Sequence, residues 1–387
     1  MPKGTPPMPW PAKDVSSLRR EFVELACQEG ANRRALCRRY EISPRVGYKW
    51  IDRFMADGLA GLEERSRRPV ESPGRTVDGI EEQVVALRRL HPQWGGRKLH
   101  RRLLDLGYQA VPAPSTITDI LHRHQLIEVH RSRPALQRFE RPEPNALWQI
   151  DFKGHFETAG GRCHPLTLLD DHSRFNLLLA ACKRQNTDHV QPLLTETFQR
   201  YGLPVQINAD NGAPWGSSSQ PEHGITQLTV WLIRVGIFVS HSRPAHPQTN
   251  GKDERFHRSM QAEVLNGRSY TDLLHAQHAF DRWRVVYNQE RPHEALSMAT
   301  PITRYRPSVR MFPEVLSPIE YGPNDTVADV GWDGRVYFQG RKLKVSNALH
   351  RLPIAFRPVA AQDGVYDMYF CHQRFGQTDL RQSPSEP

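Results

Sequence analysis

The chain has 387 residues, a formal net charge of +10 and a mean hydropathy of −0.62. No apolar run approaches the ~18 residues of a membrane span, and the N-terminal segment lacks a signal-peptide core, so we expect an intracellular protein without a membrane partner. The five cysteines are far apart and have neither CxxC nor paired Cys/His spacing. This pattern argues against a disulfide framework or a zinc site and indicates buried or idle thiols.

Positive charge is concentrated in the first part of the chain. Residues 1–142 hold 26 Lys and Arg against 17 Asp and Glu, a balance of +9 within the total of +10. A basic module joined to a nearly neutral one suggests that the first part binds a polyanion while the second does something else. Charge alone leaves a basic surface that serves solubility as an equal alternative.

The pattern of residues 1–70 predicts a helix-turn-helix DNA-binding domain. Apolar residues at helical spacing indicate helices over 15–29 and 32–40. Ser43 then provides an N-cap and Pro44 the first residue of a third helix.

The predicted third helix has two faces. Val46, Trp50 and Phe54 form an apolar stripe that we expect to face the core, and a basic stripe lies about 100° away. The basic stripe would face a major groove in the usual docking of this motif, with a solvated helix face as the alternative. The predicted DNA contacts on it are Arg45, Lys49 and Arg53.

Residues 71–126 repeat the theme and predict a second helix-turn-helix-like DNA-binding domain. Apolar spacing indicates helices near 79–90, 96–106 and 115–124. The basic residues expected to be exposed here are Arg97, Lys98, Arg101 and Arg102, of which the first three are predicted DNA contacts. Residues 127–145 are basic and interrupted by prolines, which predicts an extended linker that can lie along phosphates.

The character of the chain changes at residue 146. From 146 to 305, short apolar runs and amphipathic stretches predict a three-stranded meander, then helix, strand, helix, strand and two helices. This order is typical of an α/β domain with a mixed sheet. Residues 306–320 are a predicted linker, and alternating apolar residues with Asp-Gly and Gln-Gly turns predict a small β-barrel over 321–380.

Two acids occupy apolar strands of the predicted sheet. Asp151 lies within ALWQIDF, and Asp210 ends the strand in VQINADNG. An unpaired carboxylate there costs several kcal/mol in desolvation, so each needs a compensating cation. One strand aspartate would more often pair with Arg or cap a turn, but two, with a third acid on a later helix, favour a divalent ion. Oxygen ligands favour Mg²⁺ or Mn²⁺ over zinc. Asp170 and Asp171 are rival acids in a predicted turn, where Asp commonly caps backbone groups.

The third acid is in HPQTNGKDERFHR, which contains two adjacent carboxylates. Gly251 stands one turn before Glu254 and leaves the approach to that carboxylate uncovered, whereas Asp253 is rotated by about 100° and falls beside Phe256. Basic and imidazole side chains surround the pair, and a solvated helix N-terminus is the alternative to phosphate contact for each of them. The candidate phosphate contacts are His246, Lys252, Arg255 and His257, of which the first three are predicted DNA-binding residues.

WQIDF, INADNG and RPAHPQTNGKDERFHR resemble the three signatures of bacterial insertion-sequence transposases of the DDE type, relatives of retroviral integrases. The resemblance also covers the helix-turn-helix units and YNQERPHEAL. It implies a multidomain α/β protein with a ribonuclease-H-like core, preceded by helix-turn-helix domains and followed by a small β-barrel. By the family pattern Asp151, Asp210 and Glu254 are the catalytic and metal-binding residues, with two Mg²⁺ or Mn²⁺ ions per active site.

The resemblance also implies an activity and partners. A transposase of this type binds the terminal inverted repeats of its element, cleaves DNA at the ends and joins the 3′-hydroxyl ends to target double-stranded DNA. Joining two ends implies self-association as a dimer or higher oligomer, and the DNA substrate implies a location in the bacterial cytoplasm on the nucleoid. The alternative is a catalytically inactive DNA-binding repressor or domesticated relative.

Overall fold

The computed structural model describes residues 15–64, 76–127, 140–216, 225–241, 251–360 and 362–381. The chain divides into two compact units, Met1–Arg75 and Thr76–Pro387. His246 and most of the predicted linker 127–145 lie outside the described residues. Among the helices that the structure describes, none combines the length and the apolar character that spanning a membrane requires.

The first unit is a small helical domain. Its helices are α1 (Val15–Ala26), α2 (Arg33–Arg39) and α3 (Pro44–Asp57). The predicted N-cap is observed, since the Ser43 hydroxyl accepts a hydrogen bond from the Val46 amide at 3.4 Å, with Pro44 at the first helical position. The core consists of Phe22, Val23, Ala26, Cys37, Trp50, Ile51 and Leu62.

The predicted apolar stripe of α3 is displaced in the structure. Val46 is 38% exposed, and the buried face of α3 is formed by Gly47, Trp50 and Ile51. Gly47 is the reason, because a Cβ there would lie 2.5 Å from the Cys37 Sγ and 2.9 Å from the Phe22 ring. The missing side chain lets α3 approach α2 and α1 closely, and this approach turns Val46 towards solvent.

The second unit begins with another three-helix module, which we call the second helical module (residues 76–127). Its helices α4 (Asp78–Leu90), α5 (Gly96–Asp105) and α6 (Pro114–Arg123) are close to the predicted ranges. Their core comprises Val84, Val85, Trp94, Leu99, Leu103, Ile117, Ile120 and Leu121. The Arg88 guanidinium closes the module by donating to the carbonyl oxygens of Trp94 and Leu126.

A mixed sheet follows, as predicted, but it has six strands instead of the five expected. Its strands are β1 (Leu147–Phe152), β2 (Phe156–Thr158), β3 (Gly161–Asp170), β4 (Asn176–Cys182), β5 (Gln206–Ala209) and β6 (Phe238–His241). The order is β2-β3-β1-β5-β6, and β4 pairs with β3. Strands β1, β3 and β4 are antiparallel, whereas β5 runs parallel to β1 and to β6. The short β2 is the strand that the sequence pattern did not predict.

Helices cover both faces of this sheet. They are α7 (Thr187–Tyr201), α8 (Gln227–Arg234), α9 (Gly251–Met260) and α10 (Leu273–Val285). Side chains of α7 and α8 share one cluster with Trp148 and Ile150 of β1, whereas those of α9 and α10 share another with Leu169 and Leu179. A π-helical turn continues each of the last two helices, over Gln261–Leu265 and Val286–Glu290.

The C-terminal region is a small β domain. Its strands are β7 (Thr326–Asp329), β8 (Arg335–Phe338), β9 (Arg341–Lys344), β10 (Pro353–Pro358), β11 (Val365–Phe370) and β12 (Gln373–Asp379). They form a four-stranded sheet, β12-β11-β10-β7, and a β8-β9 hairpin. Closure into the predicted barrel is not shown by this pairing. The predicted linker 306–320 runs along the core, where the Arg310 guanidinium donates to the carbonyls of Pro204 and Gly236.

The close approach at Gly47 can be tested with Gly47→Ala. Alanine favours a helix over glycine by about 1 kcal/mol, but its methyl group would overlap the Cys37 Sγ, and overpacking costs about 1–3 kcal/mol. We expect faster hydrogen exchange of the α2 and α3 amides in the whole chain, measured by mass spectrometry. Tyr48→Ala, at a 41% exposed neighbour, is the control. Slower exchange in Gly47→Ala would contradict the packing argument.

Candidate active site

Two of the predicted acids lie at the same edge of the mixed sheet. Strands β1 and β5 are parallel neighbours, and Gln149 is in register with Asn208. Asp151 and Asp210 each follow two residues later, so both carboxylates leave the carboxyl ends of adjacent strands. In α/β sheets this edge is where ligands bind.

The electrostatics of this edge are unfavourable for two free carboxylates. Burial raises the pKa of Asp151 to about 7, and the negative charge of Asp210 adds to this shift, against a hydrogen bond from the Phe152 amide. A cation placed between the carboxylates would reverse both effects, because it favours their ionised forms. The pair therefore has the character of a cation site.

The turn after β5 keeps the carboxylate of Asp210 accessible. The Gly212 amide donates to the Asp210 Oδ1 at 3.1 Å, and a Cβ on Gly212 would lie 3.0 Å from the Asp210 Oδ2. The His241 Nδ1 lies 2.9 Å from the Asp210 carbonyl oxygen and ties the same turn to the end of β6. The glycine of ADNG thus leaves room beside the acid.

The two adjacent acids of α9 occupy opposite environments. Glu254 is exposed, whereas Asp253 is 2% exposed and lies on the buried side of the helix with Phe256. Burial raises the pKa of Asp253 well above its usual range, and the charges of Asp151 and Asp171 raise it further. Its Oδ1 has no hydrogen-bond partner among the described residues. The predicted position of Asp253 beside Phe256 is thus observed, on the interior side of the helix.

His257, which the sequence suggests as a candidate phosphate contact, lies close to Asp151 in the structure. It lies one turn after Glu254, with its Nδ1 3.8 Å from the Asp151 Oδ2 and its Nε2 3.0 Å from the Thr167 Oγ1. Burial and the charge of Lys153 lower the pKa of His257 to about 4, so the imidazole is neutral at pH 7 and the contact is no ion pair. The helical spacing from Glu254 is the signal that could have identified it.

The hydrogen bonds also assign the tautomer of His257. The Thr167 hydroxyl donates to the Asp151 carbonyl oxygen at 3.0 Å, so the His257 Nε2 must donate to Thr167 Oγ1. The unprotonated Nδ1 then faces a carboxylate oxygen of Asp151. The His257 Nδ1 and the Asp151 Oδ2 are both acceptors, so a proton or a cation can lie between them. This is a second indication of a cation site.

Lys252 and the rival acids have internal partners. The Lys252 ammonium, on a side chain that is 15% exposed, donates to the Asp171 carboxylate, which also accepts from the Gln149 side chain at 3.0 Å. Asp170 accepts hydrogen bonds from the amides of Asn145 and Ser173 and from the Ser173 hydroxyl. Asp170 thus caps the turn between β3 and β4, whereas Asp171 joins this turn to β1 and α9, and the position of Lys252 favours a structural role.

The predicted DNA contacts of the first unit point to solvent on α3. Arg45 and Lys49 are exposed, and Arg53 is half-buried. The Lys49 ammonium lies 4.6 Å from the centre of the Trp50 ring and the Arg53 guanidinium 5.1 Å from it. These contacts order two long cationic side chains on one face.

The basic residues of α5 are differently placed. Arg97 is 3.6 Å from Glu294, Arg101 pairs with Asp105 at 2.8 Å, and burial followed by the charge of Arg291 lowers the pKa of Lys98 to about 8. Arg102, expected to be exposed, is 18% exposed and pairs with Glu290 at 2.6 Å. Much of this helix face is therefore turned to the core domain, while Arg255 on α9 is exposed.

The three acids predicted to bind metal do not form one cluster among the described residues. Over the part of the chain that the structure describes, no three acidic, histidine or cysteine side chains lie close enough to hold one ion. Asp151 and Asp210 converge, and Glu254 is on the helix that packs against β1 with its carboxylate turned to solvent. The donor set consists of carboxylate oxygens, which suits Mg²⁺ or Mn²⁺.

Family comparisons identify the parts of the chain. Residues 141–247 and 235–301 match families described as Integrase core domain, and residues 325–386 match the IS481 family transposase, C-terminal domain. Residues 18–69 match a Helix-turn-helix domain and 46–121 a Homeodomain-like domain. These matches confirm the predicted helix-turn-helix units and the integrase-like, ribonuclease-H-like core.

Similar proteins include two from bacterial insertion elements. The uncharacterized 39.2 kDa protein of IS476 from Xanthomonas euvesicatoria is 27% identical over 250 residues, which are 63% of this chain and 69% of that protein. The uncharacterized 31.7 kDa protein of IS407 from Burkholderia multivorans is 26% identical over 251 residues, 63% of this chain and 86% of that protein. The HTLV-2 integrase catalytic core domain in complex with magnesium has 16% identity and a TM-score of 0.32, covering 43% of this chain and 99% of its own. That score is too low to support a conclusion.

The pKa of Asp151 predicts how the stability of the metal-free protein depends on pH. The group ordinarily titrates near 3.8 and in the folded protein near 7, so its contribution to stability is full below about pH 4 and is lost as the pH rises through 7. Asp151→Asn removes this titration. We expect the variant to exceed the parent protein by about 2–4 kcal/mol in free energy of unfolding at pH 8.

The measurement is urea unfolding in EDTA at pH 5 and pH 8. Asp188→Asn, at an exposed acid in the first turn of α7, is the control and should leave the pH profile unchanged. A stability difference between Asp151→Asn and the parent that is equal at both pH values would contradict the assignment.

Proposed function

We propose that this chain, which carries an integrase core domain and the C-terminal domain of IS481 family transposases, is a metal-dependent DNA transposase. The observation that carries the proposal is the convergence of Asp151 and Asp210 at the carboxyl ends of adjacent parallel strands. Glu254 would complete the site from α9. The integrase core and helix-turn-helix matches support a polynucleotidyl transferase that acts on DNA.

In this proposal Asp151, Asp210 and Glu254 would be the residues that hold two Mg²⁺ or Mn²⁺ ions. When bound, such ions activate the attacking oxygen and stabilise the leaving oxygen of a phosphodiester. The chain supplies the geometry. His257 and Thr167 fix the position of Asp151, and the turn at Gly212 leaves Asp210 accessible.

The reaction would have two steps at one site. Water attacks a phosphorus atom at the end of the element and releases a 3′-hydroxyl, which then attacks a phosphorus atom of the target and displaces the target's own 3′-oxygen. The substrates are the terminal inverted repeats and target double-stranded DNA, and joining two ends requires a dimer or higher oligomer. The place of action would be the nucleoid in the bacterial cytoplasm.

One observation favours the alternative of a DNA-binding relative without catalysis. Within the described residues the carboxylate of Glu254 is exposed and does not join Asp151 and Asp210. An inactive relative would keep the helix-turn-helix domains but would not need the three acidic side chains to lie close together. The chain retains all three acids at the positions of the family pattern, and this supports the enzyme.

DNA binding by the first unit would depend on the exposed basic face of α3. Arg45→Ala and Lys49→Ala together remove two candidate phosphate contacts, so we expect weaker binding to the inverted repeat and a salt dependence, log K against log [salt], that is shallower by about 2. The measurement is fluorescence anisotropy over a salt series.

Arg20→Ala is the matched control for α3. Arg20 is an exposed cation on α1 that pairs with Glu24 at 2.7 Å. Its removal should leave the salt slope within about 0.5 of the parent value. If the double variant on α3 also keeps the parent slope, α3 does not contact phosphates.

Catalysis is tested with a supercoiled plasmid that carries the cognate ends, in Mg²⁺, Mn²⁺ or EDTA. We expect cleavage and joining in either metal, none in EDTA, and a loss of about a thousandfold or more in Asp151→Asn, Asp210→Asn and Glu254→Gln. Binding to the ends should persist in each variant. Binding by the parent protein without any cleavage would support the inactive alternative.

Asp253→Asn distinguishes the two adjacent acids of α9. Because Asp253 is buried and its pKa is raised, the amide replaces a mainly neutral side chain of the same shape. We expect a much smaller effect on cleavage than that of Glu254→Gln. The reverse order of effects would move the third catalytic position to Asp253.

A further inference from the structure

The second helical module is attached to the core domain through the segment that follows α10. The Arg102 Nη2 on α5 lies 2.6 Å from the Glu290 Oε2, with 18% and 33% of the two side chains exposed. Val286 packs against the hydrophobic core of the module, and Arg97 lies 3.6 Å from Glu294. Polar and apolar contacts together thus join α5 to residues 286–294.

Arg291, the residue after Glu290, holds the C-terminal end of α9, the helix with Glu254, which we call the catalytic helix. The Arg291 Nε donates to the Glu263 Oε1 at 2.9 Å, and its Nη2 donates to the Ser259 Oγ at 3.0 Å. The indole N–H of Trp283 donates to the Glu263 Oε2 at 2.9 Å. The side chains of Arg291 and Glu263 are each 10% exposed, so this hydrogen-bonded ion pair is largely shielded from solvent.

Ser259 and Glu263 are continuous with the helix that carries Glu254. Ser259 is in α9, and Glu263 is in the π-helical turn that follows it. The same helix contacts β3 through His257 and Thr167. Direct contacts therefore lead from α5 through Glu290 and Arg291 to the helix beside Asp151.

We infer that the second helical module positions the catalytic helix, with Arg102 as the positioning residue that holds Glu290. Removing one partner of a partly buried pair leaves the other charge without compensation. Glu290 and Arg291 are adjacent, so a displacement of Glu290 moves Arg291 and loosens the end of α9. This inference rests on the proposed function, because its effect is on the reaction at Asp151, Asp210 and Glu254.

A consequence concerns DNA recognition. One face of α5 is turned to the core domain. On this face Arg97 and Arg102 contact Glu294 and Glu290, and Lys98 lies close to Arg291. A helix held in this way is a structural connector. The module would then transmit binding to the catalytic helix, while the exposed basic stripe of α3 in the first unit contacts DNA.

The experiment is a charge exchange in the full chain. Arg102→Glu and Glu290→Arg each place like charges together, and the double variant restores an opposite pair. We expect each single variant to join pre-cleaved ends about tenfold more slowly than the parent protein and to need more Mg²⁺ for its half-maximal rate. The affinity for the DNA ends should stay within about twofold of the parent value. The double variant should recover most of both losses.

Arg123→Glu is the matched control. Arg123 pairs with Glu81 at 3.0 Å inside the same module, on a side chain that is 35% exposed, and it makes no contact with the core in this pair. We expect it to leave the Mg²⁺ requirement unchanged, because the pair that it disrupts lies within the module and not between the module and residues 286–294. Should Arg102→Glu fail to fold, Arg102→Met removes the pair without charge reversal and should give a smaller change of the same kind.

Hydrogen exchange of the α9 amides separates this inference from the proposed function. We expect faster exchange in Arg102→Glu and a return towards parent protection in the double variant, whether or not the protein joins DNA. The inference would be overturned if the loss of joining rate in the double variant equalled the sum of the two single losses. It would also be overturned if both single variants kept the parent's α9 exchange and Mg²⁺ requirement. A parent protein that neither cuts nor joins cognate ends overturns the proposed function alone.

Discussion

The repulsion between two carboxylates at the end of a mixed sheet is the constraint on which the rest of the core depends. Asp151 lies in the strand that pairs with both the antiparallel and the parallel part of the sheet, so it cannot move away from Asp210 without disturbing both. Burial alone would favour neutral acids, and a neutral acid is a poor metal ligand. The fold therefore holds Asp151 and Asp210 in an arrangement whose ionised form a bound cation would stabilise.

The helix that carries Glu254 is held at three points, whereas the side chain of Glu254 itself is exposed. Lys252 attaches the start of α9 to Asp171, His257 joins its middle to Thr167, and Glu263 fixes the turn after it to Arg291. Rotation of one side chain costs far less than movement of a packed helix. In the proposed function, Glu254 would therefore approach Asp151 and Asp210 from a helix that is already held in place.

Sequence patterns predict those parts of the structure that depend on residues close together in the chain. The Ser43 cap, the apolar periodicity of the second helical module and the order of strands and helices in the core all follow from residues near each other in the chain. The buried face of α3 could not be predicted in this way, because it depends on the close approach of Gly47 to Cys37. His257 was assigned to phosphate for a similar reason, since its partner Thr167 is on a strand 90 residues earlier.

The basic stripe of α5 illustrates why charge patterns are ambiguous. A row of Arg and Lys on a helix has the same appearance whether its partner is a phosphate backbone or an acidic segment of the same chain. The partner of Arg102 is Glu290, 188 residues later, within a stretch in which Glu290, Arg291 and Glu294 alternate in sign. Glu290 and Glu294 contact α5 while Arg291 contacts Glu263, so the alternation divides one short segment between two neighbours. A uniform acidic run would attract α5 but could not hold Glu263, and this division is what makes the segment a connector between the second helical module and the catalytic helix.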